Sequence, residues 1–307
     1  MLPADRWLGE GGGAMIGALG TLLFFAVTPV FANRAAHLLG SLRANFFRLL
    51  VAVVLLGTWA HLAGRGVGGA AFGWFVLGGV VGFGIGGVAM FQSLPRLGSN
   101  LSTLIVQCVS AVVAAGVEWT WLGTRLTPAQ LGCAAVTLTG VAIGLRPRSL
   151  PRVLPAEWAA GLAWAVVSAA GQGVGAVISR KAFAVAAAAQ DKIDPGSAAY
   201  QRALGGVAVA ALVLVMAMQW WPERRRAQGR AWPWVLGNAL TGPVLGVTCF
   251  QWALRSTPAG IVQPIVAAAP LLTIPFAALI EGAHPRVTYY LGAGLAVAGV
   301  SGLLVWR

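Results

Sequence analysis

The sequence predicts an all-α integral membrane protein, ten transmembrane helices arranged as two inverted five-helix repeats. Three observations carry this. First, 58% of the 307 residues are hydrophobic and only 9% are charged, which is not the composition of a soluble domain. The apolar runs are unbroken, and most reach the roughly 20 residues a helix needs to cross about 30 Å of hydrocarbon. A membrane β-barrel would alternate polar and apolar residues in short strands. Second, the runs number five in each half, and an odd number of crossings turns the second half over relative to the first. Third, landmarks of the first half recur in the same order in the second, as in transporters built from duplicated halves.

The first repeat, residues 1–150, is expected to hold spans at 14–32, 42–63, 70–92, 98–117 and 128–145. The second, 151–307, holds spans at 156–178, 198–219, 233–253, 258–280 and 286–306. The first span carries Phe24, Phe25 and Pro29. Its Val30-Phe31-Ala32 is similar to a signal-peptidase site, but the stretch is long for a leader and Asp5 and Glu10 precede it. Its pairing with the sixth span, which carries Trp164 and Gln172, favours retention. The second span opens on Arg48-Leu-Leu-Val-Ala as the seventh opens on Arg202-Ala-Leu-Gly-Gly. The third ends at Phe91-Gln92 and the eighth at Phe250-Gln251, followed by Arg96 and Arg255. Gly78, Gly82 and Gly86 give the third span a small-residue face for close helix approach.

The fourth span ends in Ala115-Gly116-Val117-Glu118, and the fifth contains Leu131-Gly132 and Gly140-Val141. The ninth ends in Leu279-Ile280-Glu281-Gly282, and the tenth contains Leu291-Gly292 and Gly299-Val300. Pro264, Pro270 and Pro275 in the ninth span, and Pro29 in the first, remove backbone donors and are candidate hinges. The longest connections, Arg180–Ser197 and Trp220–Trp232, are too short for a soluble domain.

The net charge of +13 resides in loops without a nucleic-acid-reading motif, and such loops meet anionic lipid headgroups. Nucleic acid is not an expected partner. Cys108, Cys133 and Cys249 fall singly inside apolar runs, with no metal or disulfide pattern. All eight carboxylates lie in loops or at span ends. Proton-coupled pumps keep an ionisable group at membrane depth, so facilitated diffusion or exchange is the expectation. No paired acids, metal cluster or nucleophile–base pair suggests an enzyme, and no cofactor is expected.

Glu118 and Glu281, each at a hairpin mouth, are candidate gates with Arg125 or Arg286 as partners, or else polar anchors at the interface. Arg48 and Arg202 lie one to two turns inside their spans, where a charge is costly unless it snorkels or finds a partner. Their functional reading is capture of a substrate carboxylate or phosphate. The candidate substrate-binding set is Phe24, Asn45, Arg48, Phe91, Gln92, Trp164, Tyr200, Arg202, Phe250 and Gln251, with Gln263 as a further polar group. The alternative is that buried amides bond neighbouring helices. The hinge or gate set is Pro29, Glu118, Pro264, Pro270 and Glu281. Most of the thirteen tryptophans sit at span ends, as in an interfacial belt, and Trp164 is the deepest.

On Gly116-Val117-Glu118 with Gly132 and Gly140, and Ile280-Glu281-Gly282 with Gly292 and Gly299, the chain resembles the ten-helix EamA branch of the drug/metabolite transporter superfamily over essentially its whole length. Gln107 stands where Pro270 would align, a departure from the mid-span proline of that family. The resemblance implies two inverted repeats around a central cavity and small organic molecules crossing by alternating access, with both termini in the cytoplasm. Counting Lys and Arg along this topology leaves nine on the N-terminal side and twelve opposite, so the charge bias disagrees with that orientation. The expected function is a secondary transporter, exporter or facilitator, for a small polar or amphipathic metabolite, with an amino acid or related compound first. Alternatives are a multidrug exporter, a nucleotide-sugar or lipid-linked carrier, and a receptor or assembly subunit that transports nothing. Arg outnumbers Lys 19 to 2 in an Ala- and Gly-rich chain, the composition of a GC-rich bacterial genome, so the expected location is the bacterial inner membrane. The partners are substrate and membrane lipids. Because duplication already supplies two halves, a monomer is expected.

Overall fold

The computed structural model describes residues 10–145, 154–220, 230–272 and 287–306. Glu281, Pro275 and Arg286 lie outside them. Ten apolar helices follow in order among the described residues. They are α1 (Glu10–Leu39), α2 (Ser41–Leu62), α3 (Phe72–Gly98), α4 (Leu101–Leu122), α5 (Pro128–Gly144), α6 (Pro155–Ala188) and α7 (Pro195–Trp220). Next come α8, running from Trp232–Ala239 to Val247–Ser256, then α9 (Ala259–Leu272) and α10 (Val287–Val305). Seven are long and apolar enough to cross a membrane, and α5 and α9 are shorter apolar helices.

Local chemistry sets several boundaries. Thr127 and Gln130 form a capping box at the start of α5: Gln130 N donates to Thr127 Oγ1 at 3.3 Å and Thr127 N to Gln130 Oε1 at 2.9 Å. Proline stands in the first turn of α5 and α6, where its missing N–H costs nothing. α3 and α4 part at Gly98, whose φ of 78° lies in the left-handed region that favours glycine. Two helices run furthest beyond the apolar runs. α1 continues to Leu39, and α6 ends at Ala188 where the sequence put the membrane boundary at 178. The connection after α6 is correspondingly short, and Arg180 is helical.

Duplication is visible in the packing. α5 lies against α10 through the recurrent glycines: a Cβ on Gly140 would stand 2.6 Å from the Gly292 carbonyl, and one on Gly299 2.7 Å from the Cys133 carbonyl. α1 packs on α8, where a Cβ on Gly17 would stand 2.7 Å from the Cys249 carbonyl. In the matching position of the other half, α6 packs on α3, where a Cβ on Gly171 would stand 2.8 Å from the Val81 carbonyl. The small-residue face of α3 therefore lies inside the bundle. Both α3 and α8, the third helices of their repeats, also contain a π-helical stretch, Val80–Ile85 and Leu240–Gly246.

Candidate functional site

A cavity of about 170 Å³ lies between the repeats, room for on the order of ten waters. It runs from mid-bundle toward the end where α1 and α3 finish, past Pro29, Asn33, Phe91 and Leu94. The π-helical stretches of α3 and α8 contribute wall, through Gly82 and Phe83 on one side and Gly242 and Pro243 on the other, whereas a third at Glu118–Leu122 does not. Such stretches often mark functional sites, because their wider turn disturbs the regular hydrogen-bond ladder.

Two guanidiniums reach the cavity from the second helices of the two repeats, Arg48 on α2 and Arg202 on α7. Each lies seven residues into its helix. Arg202 is only 3% exposed and is turned into the bundle, so it does not snorkel. Its Nη1 donates to the Gly175 carbonyl at 3.2 Å, Gln251 Oε1 at 3.2 Å and Ser179 Oγ at 2.5 Å. Its guanidinium lies over the Phe83 ring at 5.2 Å. Arg48 donates from Nε to Asn45 Oδ1 at 3.0 Å and lies over Phe91 at 5.1 Å. Glycine makes room for both. A Cβ on Gly82 would approach Arg202 Nη2 to 2.9 Å, and one on Gly87 would meet Arg48 Nη2 at 3.4 Å.

The opposite end of the bundle, where the chain enters α1, is bound by polar contacts between the repeats. Glu118 is 2% exposed. Its Oε1 accepts from Arg180 Nε at 3.3 Å and its Oε2 from Gly260 N at 3.0 Å, at the start of α9. Arg180 Nη1 also donates to the Leu254 carbonyl at 2.9 Å. The carboxylate thus joins α4 to α6 and α9 and meets the positive end of the α9 helix, while Arg180 carries the link on to α8. Its partner is Arg180, where the sequence suggested Arg125.

Outside this network, Asp191 accepts from Arg65 Nη2 at 2.6 Å and from Ala70 N at 3.0 Å, tying the α2–α3 loop to the α6–α7 loop. The Arg65 hydrogen bond holds its carboxyl below the usual aspartate range. Asp194 is partly desolvated, which pushes its pKa up, but hydrogen bonds from Ser197 outweigh this and leave it lowered. A depressed pKa means both contacts contribute stability above the ordinary aspartate value of about 3.9 and lose it only as pH falls through the lower folded value.

The expected substrate-binding residues separate into groups. Arg48, Arg202, Phe91 and Phe250 line the cavity, as do Pro29 and Pro270. Asn45 and Gln251 stand behind the two arginines as hydrogen-bond partners. Gln92 is turned away, its Oε1 accepting from Arg96 Nη1 at 3.1 Å. Tyr200 packs edge-on against His61, and Phe24 leaves the wall to its neighbour Phe25. Trp164 is 39% exposed on the outside of the bundle, because α6 buries its glycine side. Pro264 is buried within α9 and does not reach the cavity. Sequence reasoning did not single out Phe83, Gly87, Gly242 or Pro243 for the wall; the glycine run of α3 was the available signal. Gln107, Gln172 and Gln263 add amides to the polar lining, with Thr28, Asn33 and Thr103.

The chain is similar to a protein of known crystal structure at 18% sequence identity and a TM-score of 0.72, covering 94% of this chain and 95% of that one. That likeness concerns the fold. No curated protein matches it in sequence. The EamA-like transporter family matches twice, over residues 12–146 and 159–305, once for each five-helix half around the cavity. The chain therefore belongs to the EamA-like transporter family, a family of multi-pass membrane transporters and not of enzymes.

Proposed function

We propose that the protein carries a small amphipathic metabolite across the bacterial inner membrane by alternating access, as a monomer and without a buried proton-binding carboxylate at mid-membrane. One observation supports this above the others. The cavity is walled by both repeats and reaches one end of the bundle, while Glu118, Arg180 and the start of α9 bind the repeats together at the other. Exchange of access requires that second contact to break and an equivalent closure to form at the first end. The wall suits a molecule with one polar end and an apolar body, since Phe25, Phe83, Phe91 and Phe250 face a small number of polar groups. The positions of the described carboxylates, none of which lines the cavity, support the uncoupled mechanism.

Reconstituted protein tests this directly. Liposomes containing it are loaded with nothing, bathed in a mixed pool of organic acids, amino acids and other common metabolites, and their lumen is read by mass spectrometry with and without a proton gradient. Selective equilibration that ignores the gradient is the expected outcome. Accumulation that follows the gradient would refute the uncoupled mechanism. Entry of no compound, from protein shown to be folded, would refute transport of this class of molecule.

A further inference from the structure

We propose that the cargo is an organic anion, its acid group bound between the guanidiniums of Arg48 and Arg202 and its apolar body held among the phenyl rings. The translocation of that anion rests on the transporter reading; its binding does not.

Charge balance is the main argument. Arginine keeps its proton at every physiological pH, so the cavity carries two fixed positive charges. The hydrogen-bond partners described for them are neutral: Asn45 for Arg48, and Gly175, Ser179 and Gln251 for Arg202. Among the described residues no Asp or Glu lines the cavity. A buried cation without a counter-charge is strongly unfavourable, and an anion entering from water would bring negative charge into the cavity that both arginines line.

Unmet hydrogen-bonding capacity points the same way. Arg202 Nε, Gln251 Nε2 and Asn45 Nδ2 are buried donors without an acceptor. All three belong to the two arginines or to the amides that hold them. Of these only Arg202 belongs to the cavity wall, the two amides standing behind it; a carboxylate or phosphate offers only acceptors to such a donor. Nearby Asn238 is also unpartnered, at both its oxygen and its nitrogen.

The same balance separates an anion from a zwitterion. The ammonium of an amino acid would find two guanidiniums and no described carboxylate in the wall. This departs from the sequence expectation of an amino acid first. The neutral polar groups of the wall, among them Gln107, Gln172 and Gln263, suit hydroxyl or carbonyl groups on the body of the cargo. Carboxylates and phosphate monoesters share the chemistry that two guanidiniums recognise.

The test compares four probes of similar size on the purified protein: 3-phenylpropionate, phenyl phosphate, 3-phenylpropanamide and phenylalanine. Thermal unfolding reports binding, because a ligand of the folded state raises the midpoint by mass action. Uptake of the same probes into phosphatidylcholine liposomes reports transport. The expected result is stabilisation by one or both anions and none by the amide or phenylalanine, with the better anion identifying the acid group. Arg48→Gln and Arg202→Gln should each weaken anion binding at least tenfold, and Arg48→Lys should restore part of it. If the Gln variants do not fold, the comparison of acid with amide on the wild-type protein still decides. Equal stabilisation by acid and amide, preference for phenylalanine, or no stabilisation by either anion would overturn the proposal. Anion binding without uptake would leave the site standing and refute transport. Uptake of phenylalanine or the amide without anion binding would do the reverse.

Discussion

Glu118 and Arg180 show how far a single side chain governs the closed end of the bundle. The carboxylate is almost wholly buried, while the Arg180 side chain keeps 21% exposure. Removing one partner of a fully buried pair costs about 3–5 kcal/mol. Partial exposure of the arginine brings the expectation for Glu118→Gln to roughly 1–3 kcal/mol. Thermal unfolding of Glu118→Gln, Arg180→Gln and the double variant should show the second substitution costing much less than it does alone. Simple addition of the two effects would mean the contact is not a unit. The glutamate itself was legible in the sequence as a repeated feature of the two hairpins. Its partner was not. The apolar run of α6 stops near Ile178, and Ser179-Arg180-Lys181 resembles a loop. Yet the alanine-rich stretch that follows favours helix and carries α6 on to Ala188. Apolarity reports the thickness of hydrocarbon, not the end of a helix. For the same reason Trp164 looked deep by its place in the span, although its helical face directs it outward.

At the scale of elements, most of the bundle follows from patterns the sequence displays: ten apolar runs, terminal prolines, and glycines recurring between halves. What glycine does at each place depends on the partner helix, and one chain of letters does not contain that partner. Gly140 and Gly292 press α5 and α10 together, whereas a Cβ on Gly116 or Gly132 would meet nothing within 4 Å, although all four belong to the same recurrent motifs. This contrast is measurable. Gly171→Ala directs its methyl at the Val81 carbonyl and the Gly86 Cα at 2.8–2.9 Å, backbone atoms that cannot step aside, and should cost about 1–3 kcal/mol. Gly116→Ala fills open space in a helix and should be neutral or stabilising by up to about 1 kcal/mol. Comparable thermal midpoints for the two variants would refute this assignment of close contacts. The π-helical stretches left no such trace in the sequence, since a π turn depends on one surplus residue being accommodated by neighbouring helices. That is also why Phe83, Gly242 and Pro243 escaped notice as wall residues.

For the molecule as a whole, the two halves are alike in plan but unlike in their present contacts. Glu118 ties the repeats together at one end, while at the other Arg96 of α3 meets Glu157 of α6 at 2.9 Å, with the glutamate side chain 54% exposed. The wet contact is the weaker of the two, which agrees with a cavity extending to that end. The proposed exchange of access needs helices that change shape without losing their backbone hydrogen bonds, and the π-helical stretches of α3 and α8 would supply a means. Each holds one residue of slack. Taking it up as ordinary α-helix would turn everything beyond it by about 100°, the angle that one residue subtends in a 3.6-residue turn. In α3 such a screw motion would swing Phe91 away from beneath Arg48. Deleting Gly84 should therefore leave a folded, membrane-inserted protein, by thermal unfolding and size-exclusion chromatography, that no longer transports. Retained transport would show that the surplus residue is idle. A helix with one residue too many is in this sense a wound spring of fixed travel, and the paired springs in α3 and α8 both border the cavity proposed to hold the cargo.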